Sequence, residues 1–140
     1  MNQRAGGWAD GPGLVPLRVV IGTVFLMHGQ LKLFTMGIAG VTGFMASLGI
    51  PLPQVSAVVV TAVELLGGLA ILLGFRARWA GLLLAFDMAV AIVTAKLHGG
   101  FFAPRGFELE LTLLGATLTF AMVGSGGWSL DKALDRSGGG

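Results

Sequence analysis

The stretch VSAVVVTAVELLGGLAILLGF, residues 55–75, decides the fold. It carries a single charge, Glu64, and no proline. A helix needs about 20 mainly apolar residues to cross roughly 30 Å of hydrocarbon at about 1.5 Å per residue. This segment meets that requirement, so it is read as a membrane-spanning helix. Three further segments do the same: Val15–Phe34 before it, and Trp79–Leu97 and Phe107–Val123 after it. Pro16 suits a first helical turn, Pro51 and Pro53 precede the second span, and Gly99, Gly100 and Pro104 separate the third from the fourth.

Composition agrees. Of 140 residues, 54% are hydrophobic and only nine are basic and seven acidic. A soluble domain carries about a quarter of its residues as Asp, Glu, Lys or Arg. Here the runs Leu33–Val63 and Leu111–Leu130 have none. The expectation is an all-α integral membrane four-helix bundle, with residues 15–124 as the transmembrane domain and 1–14 and 125–140 as cytoplasmic tails. A net charge of +2, scattered along the chain, does not suit nucleic-acid binding. The absence of cysteine excludes disulfides, thiol redox couples and thiolate metal sites. Two histidines are too few for a haem–copper centre within this chain. No Walker loop, G-x-G-x-x-G or H-E-x-x-H occurs, so no catalytic residue is assigned.

Basic residues near span ends set the orientation. With the N-terminus inside, Arg4, Arg18, Arg76, Arg78, Lys132 and Arg136 are cytoplasmic, and Lys32, Lys96 and Arg105 are outside. Trp8, Trp79 and Trp128 then all fall at the inner interface. Both ends are expected inside the cell, in the plasma (inner) membrane. The first span is too long for a signal peptide and is followed by Lys32 and Phe34, with no small-residue cleavage site, so it reads as an uncleaved helix. Residues Met36–Ile50 are uncharged, glycine-rich and too few to cross. They read as a short interfacial or re-entrant helix, closed by the turn Gly49–Pro53. Small residues four apart, at Gly81, Ala85 and Ala89 and at Ala70 and Gly74, suit close helix packing.

The polar residues within these spans locate the site. A charge at the bilayer centre costs on the order of 3 kcal/mol on insertion scales, so it faces the bundle interior and finds a partner. Glu64 and Asp87 lie near mid-span, His28 slightly outward of centre, and Lys32 one turn further out. Lys96, His98, Glu108 and Glu110 sit at the outer ends of spans three and four. The pattern describes one polar pocket open to the outer side. His28 and Lys32, four apart, share a helix face, and Gly29 between them lets a neighbour approach. Glu64 can reach either of them, as a structural clamp or as a ligand or proton site. Glu108 and Glu110 lie about 200° apart around a helix. The small, polar stripe Glu108, Thr112, Gly115 and Thr119 assigns Glu108 to the interior and Glu110 to the headgroups. Asp87 has no evident basic partner at its depth except His28; it is otherwise protonated or paired across a subunit interface. His28, Glu64, His98 and Glu108 have ligand types that suit iron or zinc. The di-iron bundle pattern, however, needs Glu-x-x-His pairs that are missing, and no metal is assigned.

Phe25–Leu33 (FLMHGQLKL) resembles the first-helix signature of the DoxX family of small bacterial and archaeal membrane proteins. Gly43-Phe44, Gly49–Pro53 and Glu64–Leu69 (ELLGGL) through Gly74 are similar to its loop and second helix. His98–Phe102 and Gly106–Glu108 are similar to its third loop and the start of its fourth helix. The resemblance spans roughly Leu17 to Gly124. It implies a four-helix membrane bundle with His28, Lys32, Glu64, His98 and Glu108 as recurrent polar positions; Asp87 is not among them. Family members are linked to a terminal quinol oxidase and thiosulfate–quinone oxidoreduction, or resemble anchors for redox-defence enzymes. The expected function is therefore an accessory or anchoring subunit of a quinone-linked membrane redox system, with quinone as candidate ligand. Its expected surroundings are the lipid bilayer, a membrane redox complex or peripheral enzyme, and further copies of itself. The alternatives are a non-catalytic scaffold recruiting redox-defence enzymes and a small proton-coupled transporter using Glu64 or Asp87.

Overall fold

The computed structural model of the chain describes residues 7 and 10–139. Arg4 and Trp8, assigned above to the inner interface, lie outside the described residues. Six α-helices occur among those described, and no strand. Helix α1, Val15–Gln30, starts from a 3-10 turn at Pro12–Leu14 and continues as a π-helical stretch, Leu31–Met36. Then come α2, Gly37–Ser47, α3, Pro53–Leu73, and α4, Ala77–Ala91. The latter also runs on as a π-helical stretch, Ile92–Lys96, and a 3-10 turn, Leu97–Gly99. Helices α5, Glu108–Val123, and α6, Leu130–Ser137, complete the order.

Three helical runs are long and apolar enough to cross a membrane: Pro12–Ser47, Pro53–Leu73 and Ala77–Gly99. The expected fourth span is helical over almost its whole length, but α5 has 16 residues and reaches only about 24 Å. Its start is covered by the loop before it. There Glu108 N–H donates to Phe101 O at 2.8 Å and the Phe101 ring meets Phe102 and Phe107 edge to face. The segment expected as a short helix between the first two spans is α2. It packs Val41 and Met45 against Ala57 at the start of α3.

Side by side, α1 packs on α3, α3 on α4 and α4 on α5. Their shared core holds Phe25, Ile71, Leu84, Met88, Leu113 and Phe120. Small residues set the two closest approaches, because lipid gives helices no hydrophobic reason to associate and close van der Waals contact must do so. In α1 against α3, a Cβ on Gly68 would lie 2.6 Å from Leu26 N, and one on Gly22 would lie 2.8 Å from Leu72 N. In α4 against α5, a Cβ on Gly81 would lie 2.6 Å from Thr117 O. The small residues Gly81 and Ala85 are buried there as expected. Gly74 serves differently: it ends α3 in the left-handed conformation, at φ 67°, where a Cβ would meet Ser129 Cβ at 2.5 Å and Arg18 Cζ at 2.9 Å.

One end of the assembly is knotted by Arg18, which the sequence placed merely at an inner interface. Its guanidinium is buried and donates to five carbonyls: Ile71 and Leu72 at the end of α3, and Ser125, Gly127 and Trp128 after α5. Gly127 N–H also donates to Gly11 O at 3.1 Å, so the segment before α1 meets the segment after α5 here. The stretch read as a C-terminal tail is ordered against the bundle. Ser129 caps α6 by accepting from Lys132 N–H at 3.2 Å. The Asp131 carboxylate accepts from Arg76 and Ala77 N–H at 2.7 and 3.3 Å, closing the otherwise unsatisfied start of α4.

Gly68→Ala forces backbone apart and is expected to destabilise the protein by roughly 1–3 kcal/mol. Gly115→Ala, where a Cβ meets nothing within 4 Å, is expected to be neutral or mildly stabilising. Reversible unfolding in mixed micelles measures both. Equal effects from the two substitutions would contradict the close α1–α3 crossing.

Candidate functional site

Glu64 sits halfway along α3 and is almost fully buried, at 3% exposure. In an apolar interior an isolated carboxylate is untenable, so its partners define the site. Lys32, on the π-helical continuation of α1, donates from Nζ to Glu64 Oε2 at 2.8 Å. Of the two partners the sequence allowed, the structure selects Lys32. The approach expected at Gly29 is present: a Cβ there would lie 2.8 Å from Leu65 N, one residue from Glu64.

Asp87 on α4 joins the same cluster, near enough to Glu64 and Lys32 for their charges to act on it. One Asp87 oxygen, Oδ2, is buried and has no partner. Lys32, Glu64 and Asp87 thus bring three helical runs to one point. One oxygen there is unsatisfied, which is where a ligand atom or a water would bond.

His28 is not part of this cluster. Its side chain is exposed beyond the α1–α3 contact, beside Met27, Gln30, Leu31, Phe34 and Thr35, which line an open groove of about 450 Å³. Spacing of four aligns side chains in an α-helix, but helix geometry changes at Leu31. The wider π turn carries Lys32 inward toward α3, while His28, still on regular helix, stays out.

The two glutamates of α5 exchange their expected places. Glu110 faces inward: its side chain is 13% exposed, Lys96 Nζ lies 3.5 Å from Oε1, and Oε2 is buried without a partner. It continues the buried seam Leu113, Thr117 and Phe120. Glu108 instead accepts from Ala103 N–H at 3.1 Å, bracing the preceding loop. The polar stripe below Glu108 pointed the wrong way because its threonines satisfy themselves. Thr112 and Thr119 donate to the carbonyls four residues back at 2.8 and 2.9 Å, so a surface position costs them little. Lys96 also donates to Pro104 O at 2.9 Å, and His98 is exposed. The residues at this end of α4 and α5 therefore form a second polar group. Among the described residues no three His, Asp or Glu side chains gather in a way that could hold a metal ion.

Sequence reasoning missed the burial of Arg18 and both π-helical stretches. Arg18 stood inside the apolar run, next to Leu17 and Val19, which was the available signal. A long side chain near a span end ordinarily snorkels to water, so position alone favoured the interface. Glu64→Leu is expected to lower stability by about 3 kcal/mol, because it strands the Lys32 ammonium. Asp87→Leu removes an acidic group without stranding an opposite charge and is expected to cost less. Unfolding in detergent ranks the two, and an unchanged Glu64→Leu midpoint would refute the pairing.

Comparison with known proteins identifies the family of the chain. The chain matches the DoxX family over residues 13–97, which include Lys32, Glu64 and Asp87. It is 35% identical to the Bacillus subtilis protein named "Putative oxidoreductase CatD", across 85% of this chain and 84% of that one. It is 33% identical to the Mycobacterium tuberculosis membrane protein Rv3486, across 91% and 85%. It is 30% identical to the Escherichia coli inner membrane protein YphA, across 85% and 88%. No solved structure gives a significant match. With the family matched along most of the chain and these relatives covered nearly end to end, this membrane protein belongs to the DoxX family.

Proposed function

We propose that the chain is a bacterial inner-membrane protein that crosses four times, with both ends cytoplasmic. In this reading it serves as an accessory or anchoring subunit of a quinone-linked redox system. The meeting of Gly11 with Gly127 supports an even number of crossings, and α5 supplies the fourth by local thinning or by snorkelling of its flanks. The excess of basic residues at that end supports its cytoplasmic placement. The relatives YphA and YqjF are named inner membrane proteins, and CatD carries the name oxidoreductase, which supports the location and the redox connection.

The observation that carries the reading is the buried Lys32–Glu64–Asp87 cluster, together with an apolar groove whose residues lie on the same helical stretch as Lys32. Met27, Leu31 and Phe34 are exposed on this groove, where a quinone ring and its isoprenoid tail find apolar surface. His28 and Gln30 supply hydrogen-bond donors for a ring carbonyl. Quinone reduction takes up two protons with two electrons. In this proposal the carboxyl pair holds a proton and Lys32 orients it, while electrons come from a partner enzyme.

Titration of purified protein with short-chain ubiquinone and menaquinone analogues tests this. Saturable binding is expected for one of them and is expected to weaken in His28→Ala. Glu64→Gln is expected to retain binding and slow quinol-dependent respiration. Absence of binding by both analogues, with respiration unchanged in both variants, contradicts the proposal.

A second reading rests on the same ion pair seen as glue. Lys32–Glu64 ties α1 to α3, and a scaffold for redox-defence enzymes needs no more than that. In that case the exchanged pair, Lys32→Glu with Glu64→Lys, restores stability and respiration together. The quinone-linked reading expects it to restore stability alone.

A further inference from the structure

At the end of the bundle where Arg18 gathers the helices lies a second open cavity, of about 480 Å³, bordered by Leu73, Trp128, Leu130, Lys132 and Arg136. Lys132 and Arg136 are four apart on α6, so their charges share one face. Among the described residues neither has a carboxylate within ion-pair distance. Of their acidic neighbours in sequence, Asp131 is occupied in capping α4, and Asp135, beside Arg136, makes no ion pair among the described residues. Trp128 is held outward, with its backbone in the left-handed region at φ 52° and its carbonyl bonded to Arg18. That is an uncommon conformation for a bulky residue and persists only where its surroundings enforce it.

The cavity continues onto the bundle wall. Leu66, Leu69 and Leu73 are all exposed, at spacings of three and four, and form one ridge of α3 that leads away from the two cations. A pair of unpaired cations, an indole and a continuous apolar ridge match one amphiphile: an anionic phospholipid. We infer that this cavity is a binding site for an anionic phospholipid, its phosphate held by Lys132 and Arg136 and an acyl chain along Leu73, Leu69 and Leu66. Trp128 sits at the junction of headgroup and chain, where indoles partition. The inference is independent of the quinone reading, since the two cavities share no residue. Because Arg18 and Asp131 fasten α6 to the ends of α1, α3 and α4, an occupied site also braces the helices that carry Lys32 and Glu64.

The test uses the full chain with Trp128 as its only indole, through Trp8→Phe and Trp79→Phe, in nanodiscs of phosphatidylcholine doped with phosphatidylglycerol. Bromine is placed on the acyl chains of one lipid or the other, and quenching of Trp128 reports which lipid lies against it. Stronger quenching by brominated phosphatidylglycerol is expected. Lys132→Gln with Arg136→Gln is expected to reduce that preference roughly tenfold or more. The preference is expected to survive inorganic phosphate at an ionic strength matched with chloride. Equal quenching by the two lipids, or a preference that persists in the folded double variant, overturns the assignment. So does selective loss in phosphate, which would make the site one for a free anion. Unchanged gel filtration and melting of the double variant exclude misfolding as the cause.

Discussion

The buried Glu64 carboxylate is the constraint from which the rest follows. In water it would need nothing; in the middle of an apolar helix it must find a cation or a proton on another helix. Lys32 supplies the cation at 2.8 Å, and Asp87 of α4 lies beside the pair. Satisfying one residue therefore fixes the mutual register of α1, α3 and α4. The glycines do the complementary work. Gly22, Gly29 and Gly68 bring α1 against α3 closely enough for the ion pair to form, because any Cβ there would hold the backbones apart.

The two polar ends of the molecule use different chemistry for the same purpose. At one end arginines reach carbonyls left open where helices stop: Arg18 takes those of α3 and the segment after α5, and Arg78 takes Met122 O at 2.6 Å. Further toward the other end, lysines on π-helical stretches meet glutamates of the neighbouring helix, Lys32 with Glu64 and Lys96 with Glu110. A guanidinium with five fixed donors suits several carbonyls at once, whereas a flexible ammonium suits a single carboxylate. A π turn is costly in regular structure and is enriched at functional sites. Here each one carries the lysine that must leave the regular helical face to reach its partner.

What was legible in the sequence was whatever depends on composition and spacing. The apolar runs gave the helices, the Gly49–Pro53 turn gave the end of α2, and the rarity of charge singled out Glu64 and Lys32. What failed depended on local geometry that spacing does not encode. His28 and Lys32 look like neighbours on one face until a change of helix type between them separates their directions. Glu108 looked inward because threonine was counted as polar, although its hydroxyl is satisfied by its own helix. Arg18 looked like an interface residue because its carbonyl partners come from two distant places in the chain. The role of the C-terminal stretch was hidden for a similar reason: Asp131 caps a helix that begins 54 residues earlier.

The claim that Lys32 and Glu64 act as one unit is tested most directly by a double-mutant cycle on stability in detergent micelles. Its members are Lys32→Met, Glu64→Leu and the two combined. Each single change leaves a charge buried without its counter-ion, whereas the combined change leaves none. The prediction is a double variant no less stable than Glu64→Leu alone, with a coupling of roughly 1–3 kcal/mol between the two sites. Strictly additive losses would contradict it, and with it the view that this pair sets the register of the helices around the site.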